Sequence, residues 1–118
     1  LLKSIFSAYK ILKSEQKNTP KIAIFSKGGP GALAIGLAGK ILNIPVYIHE
    51  SDTIPGRSNL QMAKISEKIF LEFESAKQFF SKYPCEVVGQ ILDPKIFEQN
   101  PNQQIFWKTS KKHILVIC

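Results

Sequence analysis

Cysteine is nearly missing from this sequence. Cys85 and Cys118 are the only two, too far apart to form a disulfide framework or a zinc-ligand spacing, so a reducing cytoplasm is the default setting. Acidic residues are also scarce: nine Asp and Glu against sixteen Lys and Arg give a formal charge of +7. That balance favours an anionic partner, whether nucleic acid, phosphate or a lipid surface, without choosing among them. Histidine occurs only at His49 and His113, and Ser51, Asp52 and Thr53 follow His49-Glu50, so no H-E-x-x-H motif exists and no metal site is expected. No apolar run approaches the roughly 20 residues of a membrane span, and there is no internal repeat or low-complexity tract. The rest is ordinary: 118 residues, 44% hydrophobic and 21% charged, fit one small globular core. The chain opens at Leu1 without Met and stops inside the apolar run "HILVIC". It therefore reads as a piece of a longer protein, and the lack of a signal peptide carries no information.

Apolar runs of strand length alternate with helical patterns. Residues 1–17 predict an amphipathic helix ending before Pro20, 21–26 a short buried strand, 32–42 a helix rich in small residues and 44–49 the next strand. A helix over 58–66, a strand over 68–73, a helix over 75–82 with Ser75 and Gln78 as a capping box, and a strand over 85–89 complete the alternation. This pattern predicts an α/β fold, a doubly wound, Rossmann-like parallel sheet with right-handed crossovers. Beyond Gly89 the texture changes. Asp93-Pro94 suits the start of a short helix, "EQNPNQQ" has the polarity of a linker, and "KKHILVIC" reads as a new strand. The expected organisation is a partial domain over 1–90, a linker over 91–111 and the first strand of a second domain over 112–118.

Parallel sheets bind ligands beyond the carboxyl ends of their strands, where helix N-termini point free amides outward. Two loops qualify. In "SKGGPGALA" (26–34) glycines allow close approach of an anion, the following helix adds its positive end, and Lys27 adds a mobile charge. In "IPVYIHESDTIPGRSN" (44–59) a strand runs directly into His49, Glu50 and Asp52, with Asn59 opening the next helix. His49 and Glu50 leave the strand on opposite faces. A second pattern competes: Gly29 to Ala34 fits G-x-G-x-x-A, and Glu50 lies about twenty residues on, as a dinucleotide site needs. Against that alternative, Lys27 and Gly28 lengthen the turn and Pro30 removes an amide. A dinucleotide-binding oxidoreductase domain and a non-catalytic anion-binding module are thus both readings that these loops allow.

"FSKGG", fourteen residues, then "IPVYIHESDTIPGRSN", "KISEKIFLEF" and "VVG" together resemble the middle of the MurG family, the transferases that carry N-acetylglucosamine from UDP-N-acetylglucosamine to the lipid-linked muramoyl-pentapeptide of peptidoglycan synthesis. The resemblance runs over nearly the whole chain, and the combination of the GG loop, IHES(D) and P-G-x-x-N at fixed spacing is what makes it specific. It implies a two-domain GT-B fold, with these residues supplying most of the N-terminal, acceptor-binding domain. It implies a lipid-linked pyrophosphoryl sugar acceptor, a UDP-N-acetylglucosamine site mainly in another domain, no cofactor and no nucleic acid. The implied location is peripheral, on the cytoplasmic face of the bacterial membrane. Lys27, Gly28, Gly29, Asp52 and Asn59 would contact the acceptor, and His49 and Glu50 would orient or deprotonate it. On the first helix, Phe6 falls among Lys3, Lys10, Lys13 and Lys17 on a flank suited to an anionic membrane, while Leu1, Ile5, Ala8 and Leu12 share the face expected to pack on the sheet. Two departures stand out. Pro30, Gly31, Ala32 and Ala34 replace the aromatic, Ser and Pro usual after the glycine pair, and Gly89-Gln90-Ile91-Leu92-Asp93 stands where the family writes G-N-P-x-R.

Overall fold

A computed structural model describes residues 1–19 and 21–92. Helix α1 (Leu2–Asn18) precedes strand β1 (Ile24–Ser26), followed by α2 (Ala32–Ile41), β2 (Val46–Glu50), α3 (Arg57–Met62), β3 (Lys68–Leu71), a 3-10 helix (Glu74–Phe80) and β4 (Cys85–Val87). The four strands form one sheet in the order β1-β2-β3-β4, every pair parallel. This is the α/β architecture that the alternation predicts. Within the described residues the winding runs in a single direction, so the crossovers share one face of the sheet.

Period-two alternation decides what each face carries. Ile24, Val46, Ile48, Ile69 and Leu71 face the crossovers and form one core with Met62 and Ala63 after β2 and with Ala76 and Phe80 of the 3-10 helix. On the other face Phe25, Tyr47 and Phe70 gather from three strands, the Phe70 ring centroid lying 6.3 Å from those of both Phe25 and Tyr47. Phe25 is 53% exposed there.

Helix α2 needs its small residues. A Cβ at Gly36 would collide with the Met62 thioether, and one at Gly39 with the tip of Ile24. The two glycines thus let α2 lie against α3 and the sheet at backbone distance. Helix α1 packs on α2 rather than on the sheet. Ile5, Ala8 and Leu12 are half-buried on that side, no α1 residue is fully buried, and Gln16 reaches the Leu42 carbonyl at 3.2 Å. No helix among the described residues is long and apolar enough to cross a membrane.

Several elements are shorter than their patterns. The strand expected over 85–89 ends at Val87, because Val88 and Gly89 both turn their amides to Leu71 O and Gly89 takes φ +78°. The helix expected over 58–66 ends at Met62, where Ser66 Oγ caps the Met62 carbonyl at 2.7 Å. The segment 75–82 forms a 3-10 helix from Glu74, and Gln78 bonds the Ser75 carbonyl instead of completing a capping box. The expected linker beyond Leu92, the Asp93-Pro94 helix start and the strand over 112–118 lie outside the described residues.

Candidate functional site

Strand β2 delivers two titratable side chains to its carboxyl end on opposite faces, as the alternation requires. His49 pairs in register with Phe70 on the aromatic side, and Glu50 with Leu71 on the helix side. Neither reaches solvent. His49 is 0% and Glu50 2% exposed.

The His49 ring holds the chain beyond β4: its Nε2 lies 3.1 Å from the Gly89 carbonyl oxygen. A carbonyl only accepts, so in the neutral ring the proton sits on Nε2 and Nδ1 carries the lone pair. Nδ1 is buried and has no partner among the described residues.

Glu50 turns back into its own loop. Oε1 accepts the Asp52 amide at 2.9 Å, closing the turn that leaves the strand, and Oε2 accepts Nδ2 of Asn59 at 2.9 Å. The second bond fixes the Asn59 amide, because both Glu50 oxygens act as acceptors here and Oε2 must face the NH2 group. The Asn59 amide lies flat against Gly28: Oδ1 and Nδ2 stand 2.9 and 3.1 Å from where a Gly28 Cβ would be, and Oδ1 is buried without a donor among the described residues.

The glycine loop is thus seated on α3. Gly28 (φ +97°) and Gly29 (φ +100°) both use backbone conformations that side chains disfavour. The Gly28 amide donates to Ser26 Oγ at 3.1 Å, and the Gly29 carbonyl accepts from Ser58 Oγ at 3.0 Å and from the Ala32 amide at 3.2 Å. The two glycines differ in what their missing side chains leave room for. At Gly28 that room belongs to Asn59; at Gly29 a Cβ would meet nothing within 4 Å. The open side of the loop, beside the start of α2, is where a ligand can approach, with Lys27 and Asp52 both exposed at its margins.

The predicted residues therefore converge. Gly28, Asn59 and Glu50 are linked directly, Asp52 is tied to Glu50 through its backbone, Gly29 and Lys27 complete the loop, and His49 stands on the far side of the strand. Ser26 and Ser58 are not singled out by the sequence, and Gly89 only as the start of the segment that departs from G-N-P-x-R. The signal for the first two was their position beside motif residues, whereas the pairing of Gly89 with His49, forty residues away, had none. The dinucleotide alternative loses its acidic residue, since Glu50 is buried and engaged twice within the protein instead of facing a ribose. No three His, Cys, Asp or Glu side chains among the described residues cluster as metal ligands.

Comparison with known proteins gives this arrangement a family. The profile of the glycosyltransferase family 28 N-terminal domain matches residues 1–71, from α1 through β3. The chain belongs to glycosyltransferase family 28. It is 34% identical over 99% of its length to the UDP-N-acetylglucosamine-N-acetylmuramyl-(pentapeptide) pyrophosphoryl-undecaprenol N-acetylglucosamine transferase of Staphylococcus haemolyticus, and 33% identical over 99% to the protein of the same name from Staphylococcus aureus. It spans about a third of the length of these curated relatives, 33% in each case. Among solved structures, the crystal structure of Acinetobacter baumannii MurG superposes with a TM-score of 0.55 at 32% identity, covering 63% of this chain and 20% of that one. In a family 28 N-terminal domain the glycine loop and the HESD turn thus form one hydrogen-bonded unit.

Proposed function

We propose that this chain forms the acceptor-facing part of a transferase that moves N-acetylglucosamine from UDP-N-acetylglucosamine to a lipid-linked muramoyl-pentapeptide, converting lipid I to lipid II in peptidoglycan synthesis. The observation that carries the reading is the seat of the glycine loop on Asn59 and Ser58. It leaves the Gly29 side and the start of α2 open at the end of the sheet where parallel folds take their ligands. Identity to two such transferases across 99% of the chain supports the same substrates.

In this reaction an acceptor hydroxyl attacks the anomeric carbon of the donor sugar, the bond to UDP breaks and the hydroxyl proton leaves. The pyrophosphate of the acceptor meets Gly29, the first turn of α2 and Lys27, while Asn59 and Asp52 border the sugar. His49 and Glu50 serve by orientation: one holds the segment after β4, the other the HESD turn and α3. Positive dipoles for the departing UDP come from residues outside this domain.

The membrane is the second partner in this reading. On α1, Phe6, Tyr9, Lys10, Lys13, Ser14 and Lys17 line a groove of about 330 Å³. Lys10 Nζ lies 4.5 Å above the Phe6 ring and Lys13 Nζ 5.4 Å above that of Tyr9. An aromatic-lysine flank of this kind suits an anionic bilayer surface, from which a lipid-linked acceptor is reached. The protein then works as a peripheral protein on the cytoplasmic face.

The test is transfer of labelled N-acetylglucosamine from UDP-N-acetylglucosamine to a synthetic lipid I analogue by the protein extended to the length of its relatives. Product of the lipid II mass is the expected result. A folded, full-length protein that makes none, yet binds a dinucleotide, overturns the proposal.

A further inference from the structure

Resting on the transferase reading, we infer that Glu50 is a positioning residue for the acceptor site: its carboxylate holds the Asn59 amide in place against Gly28 and thereby sets the seat of the glycine loop. At 2% exposure its two oxygens already hold Asp52 N and Asn59 Nδ2, each at 2.9 Å, so it meets the protein rather than the substrate. The bond to Nδ2 holds the Asn59 amide flat against Gly28, with Oδ1 2.9 Å and Nδ2 3.1 Å from the position a Cβ would take, so only a residue without a Cβ fits there.

The polarity of this chain of contacts makes the inference testable by exchange. Glu50→Gln keeps the shape but adds a donor. The Asp52 amide still requires the side-chain oxygen, so the new NH2 faces the Asn59 NH2, and the bond that holds Asn59 is lost unless its amide turns over and leaves a buried NH2 where Oδ1 now stands. Asn59→Asp alone places two carboxylates in contact. The two changes combined restore a donor-acceptor pair between positions 50 and 59 and the original charge.

Both arms use the full-length protein. In the thermal arm each single variant lowers Tm by roughly 2–4 °C and the double variant regains most of it. In the kinetic arm, with a lipid I analogue, each single variant raises acceptor KM about tenfold or more, kcat falls by a smaller factor, and the double variant recovers KM. If Glu50 takes the proton instead, Glu50→Gln lowers kcat by about 10²-fold, abolishes the acid limb of the pH-rate profile and is not rescued by Asn59→Asp. That outcome overturns the inference, as does a Glu50→Gln variant with Tm and KM of the parent. A parent protein without transferase activity refutes the proposed function instead, and the thermal arm still decides whether Glu50 and Asn59 act as a directional pair.

Discussion

Gly28 and Gly29 stand side by side with almost the same φ, yet the protein uses them differently. At Gly28 both the backbone conformation and the Asn59 amide exclude a side chain; at Gly29 only the conformation does. Alanine at either position carries backbone strain of about 1–3 kcal/mol. Gly28→Ala adds a collision with Asn59 and is therefore expected to destabilise more than Gly29→Ala in urea denaturation, and combining it with Asn59→Ala should recover part of the difference. Equal losses at the two positions would mean that the loop is not seated as described. His49 makes a similar point about burial. Its ring is 0% exposed and its removal leaves a void behind the Gly89 carbonyl, so His49→Ala is expected to cost about 2–4 kcal/mol of stability. An unchanged denaturation midpoint would show that the ring holds nothing.

Helix α2 shows how an element is placed by what it omits. Its first turn must reach the glycine loop while its length lies on the sheet, and Gly36 and Gly39 bring it close enough for both. Valine at either site separates the layers, with an expected loss of about 1–3 kcal/mol from overpacking. Gly36→Ala should be the mildest change, because the atoms it meets belong to the flexible Met62 side chain, which can move aside. Thermal unfolding of Gly36→Ala, Gly36→Val and Gly39→Val ranks them directly. A Gly36→Ala loss equal to that of Gly36→Val would place the rigidity in the backbone instead.

At the scale of the whole molecule, which carries a formal charge of +7, α1 sets Lys3, Lys10, Lys13 and Lys17 beside Phe6 and Tyr9, with Glu15 as its only acidic residue. Each lysine near an anionic bilayer contributes about 1 kcal/mol, so Lys10→Glu with Lys13→Glu should reduce binding to anionic vesicles more than tenfold and leave binding to neutral vesicles alone. Sedimentation with both vesicle types measures this, and equal binding of parent and variant would exclude α1 as the contact. The donor side gives a complementary expectation: residues 1–118 alone should show no saturable binding of UDP-N-acetylglucosamine in calorimetry, because a cleft enzyme needs both walls to hold its substrate in place.

The sequence by itself determined the alternation of strands and helices, the parallel α/β class and the two loops that meet at the sheet's carboxyl end, because period and glycine placement are local properties of a chain. The opposite faces of His49 and Glu50 followed from strand geometry alone. Element ends were less legible. Val88 and Gly89 continue an apolar run, yet their amides turn to Leu71 O, and that partner is seventeen or more residues away. Likewise, an amphipathic α1 faces α2 rather than the sheet, since periodicity says which side is apolar and not what covers it. Tertiary structure alone decided that Glu50 is closed off by Asp52 and Asn59, that Gly28 makes room for a side chain of its own protein, and that His49 anchors Gly89. The physical reason is directional: a hydrogen bond fixes a role only when both partners are in place, and while Asp52 and Asn59 meet Glu50 within one strand-loop-helix unit, Asn59 reaches Gly28 and Gly89 reaches His49 only once the crossovers have been folded onto one sheet.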